Sequence, residues 1–175
     1  AVAPGGIIKA HSDITERLDY ECELAFIIGK DALDVKREDA AEYIFGYTIL
    51  NDVSARDLQT RHKQWYFGKS LDGFTPMGPC IVTADEVAFP PKLDIKSYVN
   101  GELRQSSNTD YMVFDPAHVI AELSAGMTLR AGTIVATGTP EGVGMGFDTP
   151  KFLKAGDSVV CEIEKIGRLE NTVEA

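Results

Sequence analysis

Ten consecutive residues constrain this chain more than any others: Asp19-Tyr20-Glu21-Cys22-Glu23-Leu24-Ala25-Phe26-Ile27-Ile28. The run is apolar and strand-like, and side chains along a strand alternate between its two faces. Cys22, Leu24, Phe26 and Ile28 therefore share one face. Glu21 and Glu23 share the other, with Ala25 and Ile27 beyond them. The first face belongs to a core. The second carries two neighbouring carboxylates, which repel each other and are costly to bury unpaired. Two arrangements resolve this. The glutamates form the solvated face of an edge strand, as exposed Glu commonly does, or a divalent cation sits between them.

The chain has 175 residues, 44% of them apolar and 25% charged, which suits one globular domain with its own core. Its formal net charge is −10 and its Lys and Arg are scattered, so no nucleic-acid footprint is expected. No run approaches the ~20 apolar residues of a membrane-spanning helix, and the first residues show no basic-then-apolar leader pattern. A cytoplasmic protein with no membrane partner is expected. Cys22, Cys80 and Cys161 are far apart, odd in number and each in an apolar run, which predicts buried reduced thiols rather than a zinc site or disulfides.

Along the chain, residues 1–18 read as irregular or edge structure and 20–28 as the strand above. Helix formers at 36–45 predict a helix that Gly46 stops, followed by a strand over 46–52. Ser54-Ala55-Arg56-Asp57 matches a capping box and predicts a short helix starting at Ser54. Residues 60–75 are polar and aromatic without period, as in a functional loop. Strands are predicted at 78–83, 93–99, 132–137 and 158–164. Asn100-Gly101 marks a tight hairpin, and Asp115-Pro116 opens a helix running through Ile120, Leu123 and Met127. Strands dominate and no βαβ alternation is present, so a Rossmann sheet is disfavoured. The expectation is an α+β, mostly β roll in one domain over residues 1–175.

Asn51-Asp52 ends the strand at 46–52. Glu21, Glu23 and Asp52 together make an all-oxygen set that selects Mg²⁺, Mn²⁺ or Ca²⁺ over Zn²⁺. Arg56 and Gln59 share a helix face, one suited to a carboxylate and the other to a carbonyl or water. The alternative is ordinary helix surface. Lys69 lies among Trp65, Tyr66, Phe67 and Phe74, where a partly desolvated ammonium can neutralise an oxyanion; a surface lysine lying along apolar neighbours is the competing account. The Gly-rich segment 137–144 offers backbone N–H groups and the Thr139 hydroxyl to an anion, or is simply a tight turn. His62 sits in a loop three residues after Gln59 and could reach such a site. His11 and His118 are read as peripheral.

Five ordered motifs then carry a resemblance: Asp-Tyr-Glu-x-Glu-Leu-Ala, Gly-Tyr-Thr-x-x-Asn-Asp-Val-Ser-Ala-Arg-Asp-x-Gln, Gly-Lys-Ser-x-Asp, Val-Asn-Gly-Glu-x-x-Gln and Thr-Gly-Thr-Pro-x-Gly-Val-Gly. The chain resembles the fumarylacetoacetate hydrolase family, in its branch of acylpyruvate hydrolases, oxaloacetate decarboxylases and hydroxyhepta-dienedioate isomerases. The resemblance implies a mixed β-sandwich roll, usually a homodimer. It implies Mg²⁺ or Mn²⁺ on Glu21, Glu23 and Asp52, a catalytic set of Gln59, Lys69 and Thr139, and substrate binding by Arg56, Gln59, Gly138 and Thr139. The family's Asn-Tyr-x-x-His segment, which supplies the hydrolytic base, has no match here, since His11 lies in Ala-His-Ser-Asp-Ile; an N-terminal lid segment is expected to be missing.

The expected function is a metal-dependent hydrolase cleaving a C–C bond of acylpyruvate-type 2-oxo acids through an enolate that the cation stabilises. Decarboxylation or keto–enol isomerisation of dicarboxylic 2-oxo acids is the alternative, since it needs only the electron sink. A non-catalytic metal-binding module is a third reading.

Overall fold

The computed structural model describes residues 1–61 and 63–175. Alternating and β-branched runs become eleven strands: β1 (Ile7–Lys9), β2 (Leu18–Asp19), β3 (Cys22–Ile28), β4 (Ile44–Asn51), β5 (Ser54–Ala55), β6 (Met77–Thr83), β7 (Asp94–Val99), β8 (Glu102–Asn108), β9 (Ile134–Ala136), β10 (Ser158–Ile163) and β11 (Gly167–Glu174). Three short α-helices accompany them: α1 (Arg56–Arg61), α2 (Tyr66–Lys69) and α3 (Pro116–Ser124). One sheet has the order β1-β11-β10-β7-β8 and a second β6-β4-β3-β9, with β2 and β5 forming a separate pair. Among the strands of the described residues, β1 and β11 pair in parallel and the other pairs are antiparallel. The result is the mixed, mostly β sandwich that the strand-rich pattern predicts. No helix among the described residues is long and apolar enough to cross a membrane.

The two sheets bury a common core. Leu24 and Phe26 of β3 and Ile49 of β4 meet Ile95 of β7, Cys161 and Ile163 of β10 and Leu169 of β11, and Ile120 of α3 closes one end. A second cluster gathers Ile8, Leu18, Tyr20, Val53, Ala55, Leu58 and Val173 beneath α1. The β7–β8 hairpin turns at Asn100 and Gly101, both with positive φ, as a two-residue turn of the predicted kind requires. The Asp115 carboxylate accepts from His118 N–H at 2.7 Å and caps α3.

Several local expectations change. The segment at 36–45 forms a 3-10 helix over Arg37–Tyr43 that buries Ala40 alone, too little apolar surface to favour a longer α-helix. The capping box does not form. Ser54 and Ala55 pair with Asp19 and Leu18 in β5–β2, so α1 starts at Arg56, and the Asp57 carboxylate instead accepts from Thr15 and Leu58. Within residues 1–18, β1 is an edge strand, as that reading allowed, and β2 begins at Leu18, whereas α2 lies within the segment read as loop. The third helix stops at Ser124, three residues short of Met127, which is exposed. Cys80 is exposed on β6, whereas Cys22 and Cys161 are buried.

One contact of the fold bears on the site. Helix α2 presses its backbone onto α1 at Gly68: a Cβ there would lie 2.6 Å from Gln59 N, 2.8 Å from its Cα and 2.9 Å from Ala55 O. These are backbone atoms and cannot yield. Gly68→Ala is therefore expected to cost about 1–3 kcal/mol in urea unfolding, whereas Gly101→Ala, with open space around it, meets only the penalty of its positive φ.

Candidate metal centre

Strand β3 lies inside its sheet, with β4 on one side and β9 on the other. This excludes the solvated edge strand as the account of Glu21 and Glu23. Glu23 is only 3% exposed. Glu21 sits just before β3 and is locked to the end of β4 from both sides: its N–H donates to Asn51 Oδ1 at 3.0 Å, and its carbonyl accepts from Asp52 N–H at 2.9 Å. That register brings Asp52 beside the glutamate pair. One carboxylate oxygen from each of Glu21, Glu23 and Asp52 falls within 4.8 Å of the others.

Two cations are drawn into the cluster. Lys69, at the end of α2, bridges Glu21 Oε2 at 2.7 Å and Asp52 Oδ2 at 2.8 Å through Nζ. Arg56, first residue of α1, donates from Nη1 to Glu21 Oε1 at 2.6 Å and to Gln59 Oε1 at 3.1 Å, and from Nε to Asp19 Oδ2 at 2.9 Å. The Gly-rich segment closes the far side, where Gly138 N–H donates to Glu23 Oε2 at 2.7 Å.

The charges do not balance. Asp19, Glu21, Glu23 and Asp52 bring four negative charges and Arg56 and Lys69 two positive ones, an excess of two. Burial pushes the Glu23 carboxyl up to about 8; the Gly138 N–H opposes this, and Asp52 and Glu21 add to it. Burial also raises Asp52, against the pull of Lys69. For Arg56, burial disfavours the charge, but Glu21 and Asp19 outweigh it and hold the pKa above its ordinary value. Hard oxygen donors, close convergence and an excess of formal negative charge, part of it taken up by the proton on Glu23, fit a divalent cation of the Mg²⁺, Mn²⁺ or Ca²⁺ kind. Among the described residues, no other group of three or more His, Cys, Asp or Glu side chains converges in this way.

The remaining residues expected at the site surround these carboxylates, with their polar atoms largely engaged. Arg56 is 5% exposed, and of its nitrogens Nη2 is buried with no partner. The Thr139 hydroxyl donates to Cys22 O at 2.9 Å and accepts from Gln105 Nε2 at 2.7 Å. His62 lies outside the described residues. His11 bonds the Asp72 carbonyl through Nε2, His118 stacks on Phe114, and neither is hydrogen-bonded to Glu21, Glu23 or Asp52. Three residues of the surrounding network went unassigned in the sequence reading: Asp19, Asn51 and Gln105, all buried. Each lay inside a quoted motif, but a polar residue next to an apolar run does not reveal which donors will meet it.

Set against known proteins, residues 1–174 match the family model described as Fumarylacetoacetate (FAA) hydrolase C-terminal. The chain is 52% identical over 169 residues to oxaloacetate tautomerase YisK of Bacillus subtilis, covering 97% of this chain and 56% of that protein. It thus spans about half the length of the curated relatives it matches. Among solved structures, a fumarylacetoacetate hydrolase from psychrophilic Exiguobacterium antarcticum superposes with a TM-score of 0.96 at 51% identity, covering 99% of this chain and 62% of that one. A fumarylpyruvate hydrolase from Pseudomonas aeruginosa, in complex with Mn²⁺ and pyruvate, superposes with a TM-score of 0.87 at 34% identity, covering 99% and 73%. By its matched length, its sequence identity and its fold, the chain belongs to the fumarylacetoacetate hydrolase family, in the C-terminal domain that defines it.

Proposed function

We propose that this chain carries the centre of a Mg²⁺- or Mn²⁺-dependent keto–enol isomerase acting on dicarboxylic 2-oxo acids of the oxaloacetate type. One observation carries the reading: three carboxylates, Glu23 buried and Glu21 and Asp52 partly so, converge on one point, and with Asp19 behind them they outnumber the two cations by two formal charges. Glu21, Glu23 and Asp52 would hold the cation. When bound, it supplies Lewis acidity toward the carboxylate and keto oxygens of a 2-oxo acid.

The other steps fall to the protein's own groups. The Lys69 ammonium borders two of the three carboxylates, so its N–H groups lie where a developing enolate oxygen would be neutralised. Arg56 holds Glu21, and Gln59, half-buried on the same helix face and accepting from Arg56, would offer its amide N–H to a substrate oxygen. Thr139 and Gly138 form the opposite wall. Isomerisation moves one proton between carbon and oxygen and asks no water of the site. The name of the 52%-identical relative, an oxaloacetate tautomerase, supports this class over the C–C hydrolysis that heads the sequence reading. Hydrolysis of acylpyruvates stays as a second reading because a structural relative is named a fumarylpyruvate hydrolase.

The decay of enol-oxaloacetate absorbance is expected to run above background with Mg²⁺ or Mn²⁺ and to return to background in EDTA; a rate that EDTA leaves intact removes the cation from the reaction. Fumarylpyruvate cleaved faster than oxaloacetate is isomerised would put hydrolysis first. Glu23→Gln should weaken Mn²⁺ binding in calorimetry about tenfold or more, because one ligand charge is lost. Lys69→Met should separate the two roles. Turnover falls about 10²-fold, while Mn²⁺ binds as tightly or more tightly, since the ammonium competing for Glu21 and Asp52 is gone.

A further inference from the structure

Asp19 contributes nothing to the three-carboxylate convergence, yet it is 0% exposed and its carboxylate takes four donors. Oδ1 accepts from Tyr20 N–H at 2.9 Å and from Gly144 N–H at 2.6 Å. Oδ2 accepts from Met145 N–H at 3.0 Å and from Arg56 Nε at 2.9 Å. The chain approaches this carboxylate so closely that a Cβ on Gly144 would stand 2.6 Å from Asp19 Oδ1 and 2.5 Å from Lys151 O. Resting on the metal reading above, we infer that Asp19 is a positioning residue of the centre: by fixing Arg56 it keeps one oxygen of Glu21 available to the cation, and it ties that arrangement to the Gly-rich loop.

The physical basis is the shape of the guanidinium. Arginine prefers to meet a carboxylate with two parallel N–H groups, one on each oxygen. With Nε held by Asp19, Arg56 reaches Glu21 only through Nη1 and only at Oε1. Glu21 Oε2 is left facing Lys69 and Asp52. Freed from Asp19, the guanidinium can turn onto both oxygens of Glu21 and compete with a cation for the whole carboxylate. The β2–β5 ladder sets the geometry by placing Asp19 opposite Ser54, two residues before Arg56. The same carboxylate anchors Gly144 and Met145, so the loop that presents Gly138 to Glu23 shares its anchor with Arg56. Arg56 acts here through Glu21 rather than by touching substrate.

Calorimetry with Mn²⁺ alone tests this on the intact chain. Asp19→Asn keeps the size of the side chain but has one oxygen where four donors need two, and should raise the Mn²⁺ Kd about tenfold, within the range for residues that orient metal ligands. Arg56→Lys, which cannot fork between Asp19 and Glu21, should raise it similarly. The double variant should be no weaker than the weaker single one, because both remove the same arrangement. Asp157→Asn is the control. Asp157 is also a buried carboxylate, accepting from Lys154 N–H and Asn100 Nδ2, but lies outside the site; its loss should lower the melting temperature and leave the Mn²⁺ Kd unchanged. Wild-type affinity in Asp19→Asn overturns the inference. So does equal weakening in Asp157→Asn, or an Arg56→Lys variant with raised KM and unchanged Mn²⁺ Kd. If Asp19→Asn does not yield folded protein, wild-type Mn²⁺ affinity in Arg56→Lys overturns it alone. Wild-type protein that binds no Mn²⁺ overturns the metal reading as well, whereas the outcomes above leave that reading standing.

Discussion

An excess of formal negative charge in a partly buried cluster, four carboxylates counting Asp19 against two cations, is the constraint on which this structure turns. Glu21, Glu23 and Asp52 face one another at distances where carboxylates repel, and Lys69 and Arg56 offset only part of that repulsion. Burying uncompensated charge is among the most unfavourable things a fold can do. Part of the strain is relieved by the proton, as the raised Glu23 shows. A divalent cation relieves it more fully, and the all-oxygen donor set suits a hard one. On the proposed reading, the instability of the cluster by itself is the source of its affinity for such a cation.

The scaffold around the pocket reads as a set of devices for holding that charge in place. Strand β3 is central in its sheet, so its carboxylates cannot retreat to solvent. The bonds of Glu21 to Asn51 and Asp52 prevent a slip of register that would turn Glu23 to the opposite face. Helices α1 and α2 meet at Gly68 with their backbones nearly touching, which brings Lys69 and Arg56 to the same carboxylate from different directions. Gln105, wholly buried, joins β8 to Cys22 N–H and to Thr139 and Pro140, and so fixes the Gly-rich loop against β3. Residues separated by more than a hundred positions in the chain thereby act as one wall.

Much of this is legible in the sequence. The alternation in residues 20–28 placed Glu21 and Glu23 together, Asp52 stood out as a carboxylate at the end of an apolar run, and the hairpin at Asn100-Gly101 and the cap at Asp115 carried their usual local chemistry. Local rules misled where tertiary pairing overrode them. The Ser54 capping box lost to the β2–β5 ladder, and the helix at 36–45 became a 3-10 helix with Ala40 as its one buried residue, while Ile44 joined β4. Arg56 shows the subtler failure. Its helix face does turn toward the carboxylates, but nothing local disclosed that Asp19 and Glu21 would occupy it.

The sequence by itself determined which carboxylates stand at the candidate site, the sheet-rich fold class and the order of the motifs, because side-chain chemistry and the two-residue period of a strand are local properties. Tertiary structure alone decided that the glutamates are interior rather than on an edge, that Lys69 bridges two of the three carboxylates, and that Asp19 stands behind Arg56. Those outcomes depend on which strands become neighbours and on how many donors converge on one oxygen, and neither is written in any single stretch of the chain.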